Sequence, residues 1–354
     1  MESVDFHGIS LLSNNSDTNT VFLSRTTHSI LAVIMGVFSA AGIILNVLVI
    51  VLIVRHRPLR QPLNYALVNL AVCDLGCAVI GGLPTTVRNA TGYDNLGHVG
   101  CVLEGFGVAF FGIASLCTIG VISVERYIVV CYPMGGVLFQ TRYGDNLKYW
   151  FMVLSWVWSF VWNIPPLFGW GSYESEGIKT SCGPNWSDRE VGNMSYIIIY
   201  FLLCFAVPFV IIMVSYSRLL WTLHQVRGLG ERSAHRVEVL VARMIMVMVL
   251  AFLFTWLPYA AMALAVIMDS SLYIDPVIAT IPVYFAKSGP VYNPIIYIFM
   301  NKQFILPSAP LQDDLSFISF LIFVENKQLN YHFKTVSALV FFLVQWLCVS
   351  LCLI

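Results

Sequence analysis

The chain has 354 residues, 58% of them hydrophobic and only 11% charged, and its mean hydropathy is +0.79. A water-soluble domain carries about 45–50% apolar and roughly 25% charged residues, so too few charges remain to cover a water-facing surface and much of it must face lipid. The 19 basic and 19 acidic residues cancel and form no run, which leaves nucleic-acid binding without an electrostatic footprint.

In chain order, residues 1–28 form a polar arm without the charged and apolar regions of a cleavable signal, so the first span is expected to act as its own insertion signal. Apolar stretches of spanning length follow at 29–54, 64–83, 99–131, 148–167, 194–220, 237–268 and 276–300. Each is near or above the ~20 residues needed to cross the hydrocarbon core. The expected fold is an all-α membrane protein, a bundle of seven transmembrane helices. Residues 29–304 form that unit, and 305–354 form a C-terminal tail ending in a further apolar stretch at 335–354.

Loop charge sets the orientation. Arg55, Arg57, Arg60, Arg126, Arg142, Lys148, Arg218, Arg227, Arg232, Arg236 and Arg243 fall on one side, with Lys302, Lys327 and Lys334 in the tail; the other side holds Arg25, Arg88, Lys179 and Arg189. The positive-inside bias places the N-terminus outside. The glycosylation sequons at Asn14, Asn89, Asn185 and Asn193 all fall on the expected outer side, as do Cys101 and Cys182, where a disulfide would tie the second outer loop to the third span. The nine cysteines show no CxxC spacing and the seven histidines are scattered, so no metal site is expected.

Ionisable groups within spans are costly and mark function. Three are expected there: Asp74, Glu104 and Lys287. Lys287 lies about 16 Å down the seventh span at 1.5 Å per residue, and Glu104 about one turn below the outer end of the third. An ammonium at that depth needs a carboxylate or loses its proton. One reading is a structural ion pair; the other is a Schiff-base lysine, nucleophilic because it is desolvated, with Glu104 as counter-ion. The pair alone does not choose.

The surrounding motifs do. Asn46 in ILNVLV, Asp74 in NLAVCDL, Cys101 with Glu104 in CVLEGF, Glu125-Arg126-Tyr127, Trp156, Cys182 in SCGPNW, Pro208, Trp256-Leu257-Pro258-Tyr259, Lys287 in FAKSGPVYNP and Asn293-Pro294-x-x-Tyr297 stand in the order found in opsins, and the chain resembles that family from about residue 29 to Phe304. RHRPLRQPLNYALVNLAVCDL, GWGSYESEGIKTSCGPNW and SYSRLLWTL resemble the vertebrate ancient opsins, a non-visual group.

The resemblance implies a light-sensing G-protein-coupled receptor of the cell membrane, not an enzyme. It implies retinal, 11-cis in the dark, bound to Lys287 as a protonated Schiff base with Glu104 as counter-ion. Glu176 matches a second acid that serves as counter-ion in other opsins, the alternative being a solvated loop acid. Gly112, Phe205, Phe252, Trp256 and Tyr259 would line the pocket, or be plain bundle core. Arg126 between Glu125 and Tyr127, with Glu238 as outer partner, resembles the family's lock, and Tyr216, Asn293, Pro294 and Tyr297 its relay to a heterotrimeric G protein. Prolines 208, 258 and 294 permit kinks. Asp74 and Asn46 are a buried polar contact or, by resemblance, a sodium or water site.

The pattern breaks after Phe304. Pro307 and Pro310 should curtail an eighth helix, and the tail's Ser and Thr residues are scattered, which puts phosphorylation-dependent shut-off by arrestin in doubt. Such a tail looks like a splice product, and residues 335–354 are expected to contact membrane lipid, crossing outward. The alternative reading of the whole chain is a rhodopsin-like receptor for a diffusible ligand in which Lys287 is merely paired.

Overall fold

The computed structural model describes residues 24–60, 62–92, 97–132, 142–226, 233–269 and 271–300. The sequon at Asn14 and the whole tail 305–354 lie outside these described residues.

Helix α1, Arg25–Arg55, begins where the Ser24 side chain accepts a hydrogen bond from the Thr27 amide, a serine N-cap. The second span is two helices, α2 (Pro62–Cys77) and α3 (Leu83–Thr91), joined by a widened π turn at Ala78–Gly82. It runs eight residues past the apolar stretch and stops at Gly92, whose φ of 76° is the left-handed conformation of a glycine C-cap. The third span is the unbroken α4, Gly97–Cys131, and the fourth is α5, Arg142–Asn163.

An outer-loop hairpin follows: β1 (Tyr173–Glu176) pairs antiparallel with β2 (Ser181–Pro184), with Glu176 opposite Ser181. The fifth span joins α6 (Val191–Tyr200) to α7 (Val207–Val226) through a second π turn, Phe201–Ala206. Pro208 has no N–H to give back to the preceding turn, and the widened turn lies just before it. Helix α8, Ser233–Met268, carries Pro258 inside it. The seventh span is α9 (Pro276–Ser288), a 3-10 turn at Gly289–Val291, and α10 (Tyr292–Met300).

Six helical stretches among the described residues are long and apolar enough to cross a membrane. The seventh expected span is present as the three pieces just given. Of the three prolines expected to permit kinks, Pro208 and Pro294 adjoin breaks in regular helix, whereas Pro258 leaves α8 continuous.

Helix α4 is the central post and packs on the second, fourth, fifth and sixth spans. Leu67, Leu70, Leu116, Ile119, Ile122, Ile212, Ile245, Met248 and Tyr297 form the core around its inner half. The opposite pattern holds outside: Val33, Val37, Ile44 and Val51 of α1 are exposed. Exposed apolar surface of this extent suits lipid rather than water.

Polar side chains hold this apolar bundle in register. Asn46 Nδ2 donates to the carbonyls of Gly42 and Pro290, both at 2.8 Å. Trp156 Nε1 donates to Asn69 Oδ1 at 2.7 Å, and Asn69 Nδ2 donates to Thr118 Oγ1 at 2.8 Å. Asn46→Leu removes the donor and leaves the buried Pro290 carbonyl unsatisfied, a cost of about 1–3 kcal/mol. The detergent-solubilised variant should melt below the parent; an equal melting midpoint would show that Asn46 does not tie the first span to the seventh.

Candidate functional site

The site is built from three spans. In the second span Gly81, Thr85 and Arg88 recur at helical spacing and share one face. Opposite stands Glu104 of α4, 1% exposed, and from α9 comes Lys287, 9% exposed. Lys287 Nζ donates to Glu104 Oε1 at 2.5 Å, to Thr85 Oγ1 at 2.6 Å and to the Gly81 carbonyl at 3.3 Å. The π turn at Ala78–Gly82 contributes the last of these acceptors. Thr85 Oγ1 also donates to Glu104 Oε1 at 3.1 Å.

Arg88 completes the group. Its guanidinium, 1% exposed, ion-pairs with Glu104 Oε2. This corrects the reading that placed Arg88 in an outer loop and made Lys287 the basic residue inside the spans. Hydropathy ends the second span at 83, while the helix carries on to its Gly92 cap with Arg88 turned inward. Glu104 therefore serves two cations.

The β hairpin roofs the site. Cys101 and Cys182 form a disulfide, with Cα atoms 5.4 Å apart, that fastens β2 to the head of α4. The Cys182 amide then lies 3.4 Å from Glu104 Oε1 and donates to it. Tyr173 packs over Gly105, where a Cβ would come within 2.8 Å of the ring, and its hydroxyl donates to the Asn163 carbonyl at 2.7 Å. Glu176, at the end of β1, turns its carboxyl inward: Tyr259 donates its hydroxyl to Glu176 Oε1, and Trp186 Nε1 donates to the Tyr259 oxygen at 2.8 Å. Gly183 makes room for that carboxyl, since a Cβ there would lie 2.5 Å from its carbon. Burial pushes Glu176 up from 4.5 to about 7, against the downward pull of the Tyr259 hydrogen bond and of the Lys287 charge. The solvated-acid alternative for Glu176 does not hold.

Below the roof runs an apolar cavity that Lys287 and Trp256 both line. Every expected pocket residue lines it: Gly112, Phe205, Phe252, Trp256 and Tyr259, together with Glu176. A Cβ on Gly112 would come within 2.9 Å of the Trp256 indole, so the ring lies where only glycine leaves space. Phe252 stacks on Trp256 with ring centres 5.8 Å apart. Trp186, Ala263 and Val283 also line the cavity and were not singled out from sequence. An amine in the wall of an apolar cavity with a buried carboxylate beside it suits an apolar aldehyde. Geometry alone would equally admit a diffusible ligand beside a paired lysine.

At the inner end Glu125 Oε1 accepts from Arg126 Nη2 and from Lys148 Nζ, both at 2.9 Å. Lys148, expected as an inner-side charge, is a second cation on the lock carboxylate. Tyr127 shares a hydrogen bond with Tyr132 at 3.1 Å rather than joining that cluster. Tyr216 and Tyr297 are buried, and Asn293 Nδ2 donates to Asp74 Oδ2 at 2.8 Å beside a small cavity that Trp256 also lines. Pro294 lies in the first turn of α10 next to them. The side chain of Glu238 lies outside the described residues.

The family model for the seven-transmembrane receptors of the rhodopsin family matches residues 45–297. Parapinopsin of Ictalurus punctatus is 59% identical over 305 residues, covering 83% of this chain and 87% of the relative. Pinopsin of Columba livia is 44% identical, with 79% and 80% covered, and vertebrate ancient opsin of Salmo salar is 40% identical, with 79% and 86% covered. The crystal structure of squid rhodopsin superposes with a TM-score of 0.75 at 27% identity, covering 81% of this chain and 86% of that one. The chain belongs to the opsins.

As an opsin it is a light-sensing, retinal-binding G-protein-coupled receptor, a multi-pass membrane protein and not an enzyme. The likeness to vertebrate ancient opsin is real, but the likeness to parapinopsin is greater.

Two sequons of this opsin are corrected. Asn89 is 1% exposed, and its Nδ2 donates to the Thr85 carbonyl at 2.8 Å and to the Tyr284 hydroxyl at 2.7 Å. Asn193 is 4% exposed, with Nδ2 donating to the carbonyls of Asn185 and Asp188. Neither amide nitrogen is open to a glycan. Asn185 is half-buried, and its Oδ1 caps the turn through Ser187 and Asp188.

The Glu176 carboxyl predicts a pH dependence. Its folded value of about 7 lies above the 4.5 of the free acid, so between those values the folded protein binds more proton than the unfolded one. Stability from this group is complete below about 4.5 and is lost as pH rises to about 7. Melting of the retinal-free opsin should show this fall, and Glu176→Gln should flatten it. A fall of equal slope in the variant would assign it to another group.

Proposed function

We propose that this opsin carries retinal on Lys287 Nζ as a protonated Schiff base with Glu104 as counter-ion, takes the 11-cis isomer in the dark, and activates a heterotrimeric G protein at the cell membrane. The observation that carries the reading is the Lys287 amine in the wall of an apolar cavity, 2.5 Å from a buried carboxylate. Retinal supplies a light-driven change of shape inside a pocket that fits one isomer better than the other. Differential fit of that kind is what shifts a two-state equilibrium.

The chain's own groups do the rest. Glu104 Oε1 holds a proton on the Lys287 nitrogen by charge and stands where that proton would go. The hairpin roof and its disulfide exclude water from the pair, which strengthens it. Glu176 is a second acid at the pocket wall, held by Tyr259, and serves as an alternative counter-ion. Trp256 meets the far end of the ligand, with Gly112, Phe252, Phe205 and Tyr259 around it. At the inner face Glu125 holds Arg126 beside Tyr127, with Glu238 as outer partner in the resting state. Tyr216, Asn293, Pro294 and Tyr297 relay the movement that opens a G-protein site.

The receptor unit is residues 29–304, behind an outer arm 1–28 that is glycosylated at Asn14. The tail 305–354 adds lipid contact through 335–354 and offers arrestin no clustered phosphorylation sites.

Two measurements test this reading. Borohydride reduction of the pigment and peptide mapping should place the adduct on Lys287, in the full chain and in one truncated after Phe304. An adduct elsewhere sinks the attachment, and loss of pigment on truncation sinks the unit boundary. Glu104→Gln should lower the pH at which the visible band gives way to the near-ultraviolet band by about 1–3 units, the effect of an opposite charge at contact distance. An unmoved transition would transfer the counter-ion role to Glu176.

A further inference from the structure

Glu104 is shared, and the sharing has a direction. Arg88 is buried and pairs with Glu104 Oε2 through its guanidinium, a cationic group. Lys287 takes the other oxygen, Oε1. The two cations take different oxygens of one carboxylate, and all three groups are buried, so bulk solvent screens their repulsion little. The remaining titratable groups at this place among the described residues are Glu176 of β1, Tyr259 of α8 and Tyr284 of α9. Tyr259 is committed to Glu176, and Tyr284 to Asn89 and Thr180. None of them touches the Arg88–Glu104 contact.

We infer that Arg88 is a positioning residue that weakens the hold of Glu104 on the retinal-bearing nitrogen of Lys287, and so sets the pH at which that nitrogen gives up its proton. The inference rests on the reading of Lys287 as the retinal lysine. Two effects act in the same direction. A fixed positive charge near the nitrogen disfavours its cationic form. A guanidinium donating to Oε2 also neutralises part of the charge that would otherwise favour it. Position follows as well: Arg88 and Thr85 come from consecutive turns of α3 and between them hold both carboxylate oxygens, so Lys287 shares Oε1 with Thr85 while Oε2 is taken by Arg88.

The test is a titration of the retinal-loaded protein, reading the pH at which the visible band of the protonated form gives way to the near-ultraviolet band. Arg88→Gln and Arg88→Met remove the charge and should raise that midpoint by about 1–3 units. Arg88→Lys keeps a cation and should stay near the parent. A merely structural arginine would alter yield or melting temperature and leave the midpoint in place.

An unchanged or lowered midpoint in the neutral variants overturns the inference. So does an Arg88→Lys midpoint as high as that of Arg88→Gln, because charge would then not be the cause. If neither neutral variant forms pigment while the parent does, Arg88 is a folding residue and the inference falls. A parent that forms no pigment overturns the retinal reading itself, a result distinguishable from all the others.

Discussion

Glu104 carries one negative charge at 1% exposure between a lysine from the seventh span and an arginine from the second. Taking three charges out of water is costly, and the attraction between them repays that cost only when every partner stays in place. Removing one partner from such a buried group leaves an uncompensated charge, at about 3–5 kcal/mol. Spans two, three and seven are thereby fixed to one another at the outer end by electrostatics, where the apolar core of the inner half cannot reach. A change of charge on Lys287 is a change in what holds these spans together, so the chemistry of the site and the packing of the bundle are one event.

The roof makes that coupling strong. Cys182 is tied to Cys101 three residues before Glu104, and its amide points at the same carboxylate oxygen that Lys287 uses. The loop is therefore part of the site. Tyr173 closes over Gly105, and Glu176 closes over the pocket through Tyr259 and Trp186. Low dielectric inside this enclosure multiplies every charge interaction relative to water, and Glu176 adds a second carboxyl to the cavity wall.

Much of this was legible before any coordinates. A lysine deep in the seventh span and an acid one turn into the third had to find each other, because neither is tolerable alone in hydrocarbon. The two outer-side cysteines were paired by their common place on the oxidising side of the membrane. What escaped did so for physical reasons. Hydropathy measures lipid exposure, and the end of α3 is sheltered by neighbours, so VRNATG reads as loop although it is helix with Arg88 and Asn89 turned inward; the glycine at its end was the available signal. Asn193 likewise obeys a sequon and is buried by tertiary packing that the three-residue pattern does not encode. Lys148 counts as an inner-side charge in sequence, yet its contact with Glu125 depends on how α5 lies against α4.

The two functional carboxylates sit on one straight element. Glu104 and Glu125 are both on α4, about 30 Å apart at 1.5 Å per residue, and each holds two cations: Lys287 and Arg88 above, Arg126 and Lys148 below. Helix α4 is unbroken, whereas the second, fifth and seventh spans each contain a turn that departs from α geometry, at Ala78–Gly82, Phe201–Ala206 and Gly289–Val291. Turns of that kind have poorer hydrogen bonding and adjust at lower cost. The fixed post therefore bears both acids, and the two partners of Glu104 come from adjustable spans, whereas Arg126 lies on α4 itself and Lys148 on α5. Lys287 stands two residues before the 3-10 turn at Gly289, and Asn293 and Tyr297 stand just beyond it. The 3-10 turn therefore lies between Lys287 and the Asn293–Asp74 hydrogen bond, so the least regular turn of the seventh span separates the ion pair at its outer end from the polar contact at its inner end.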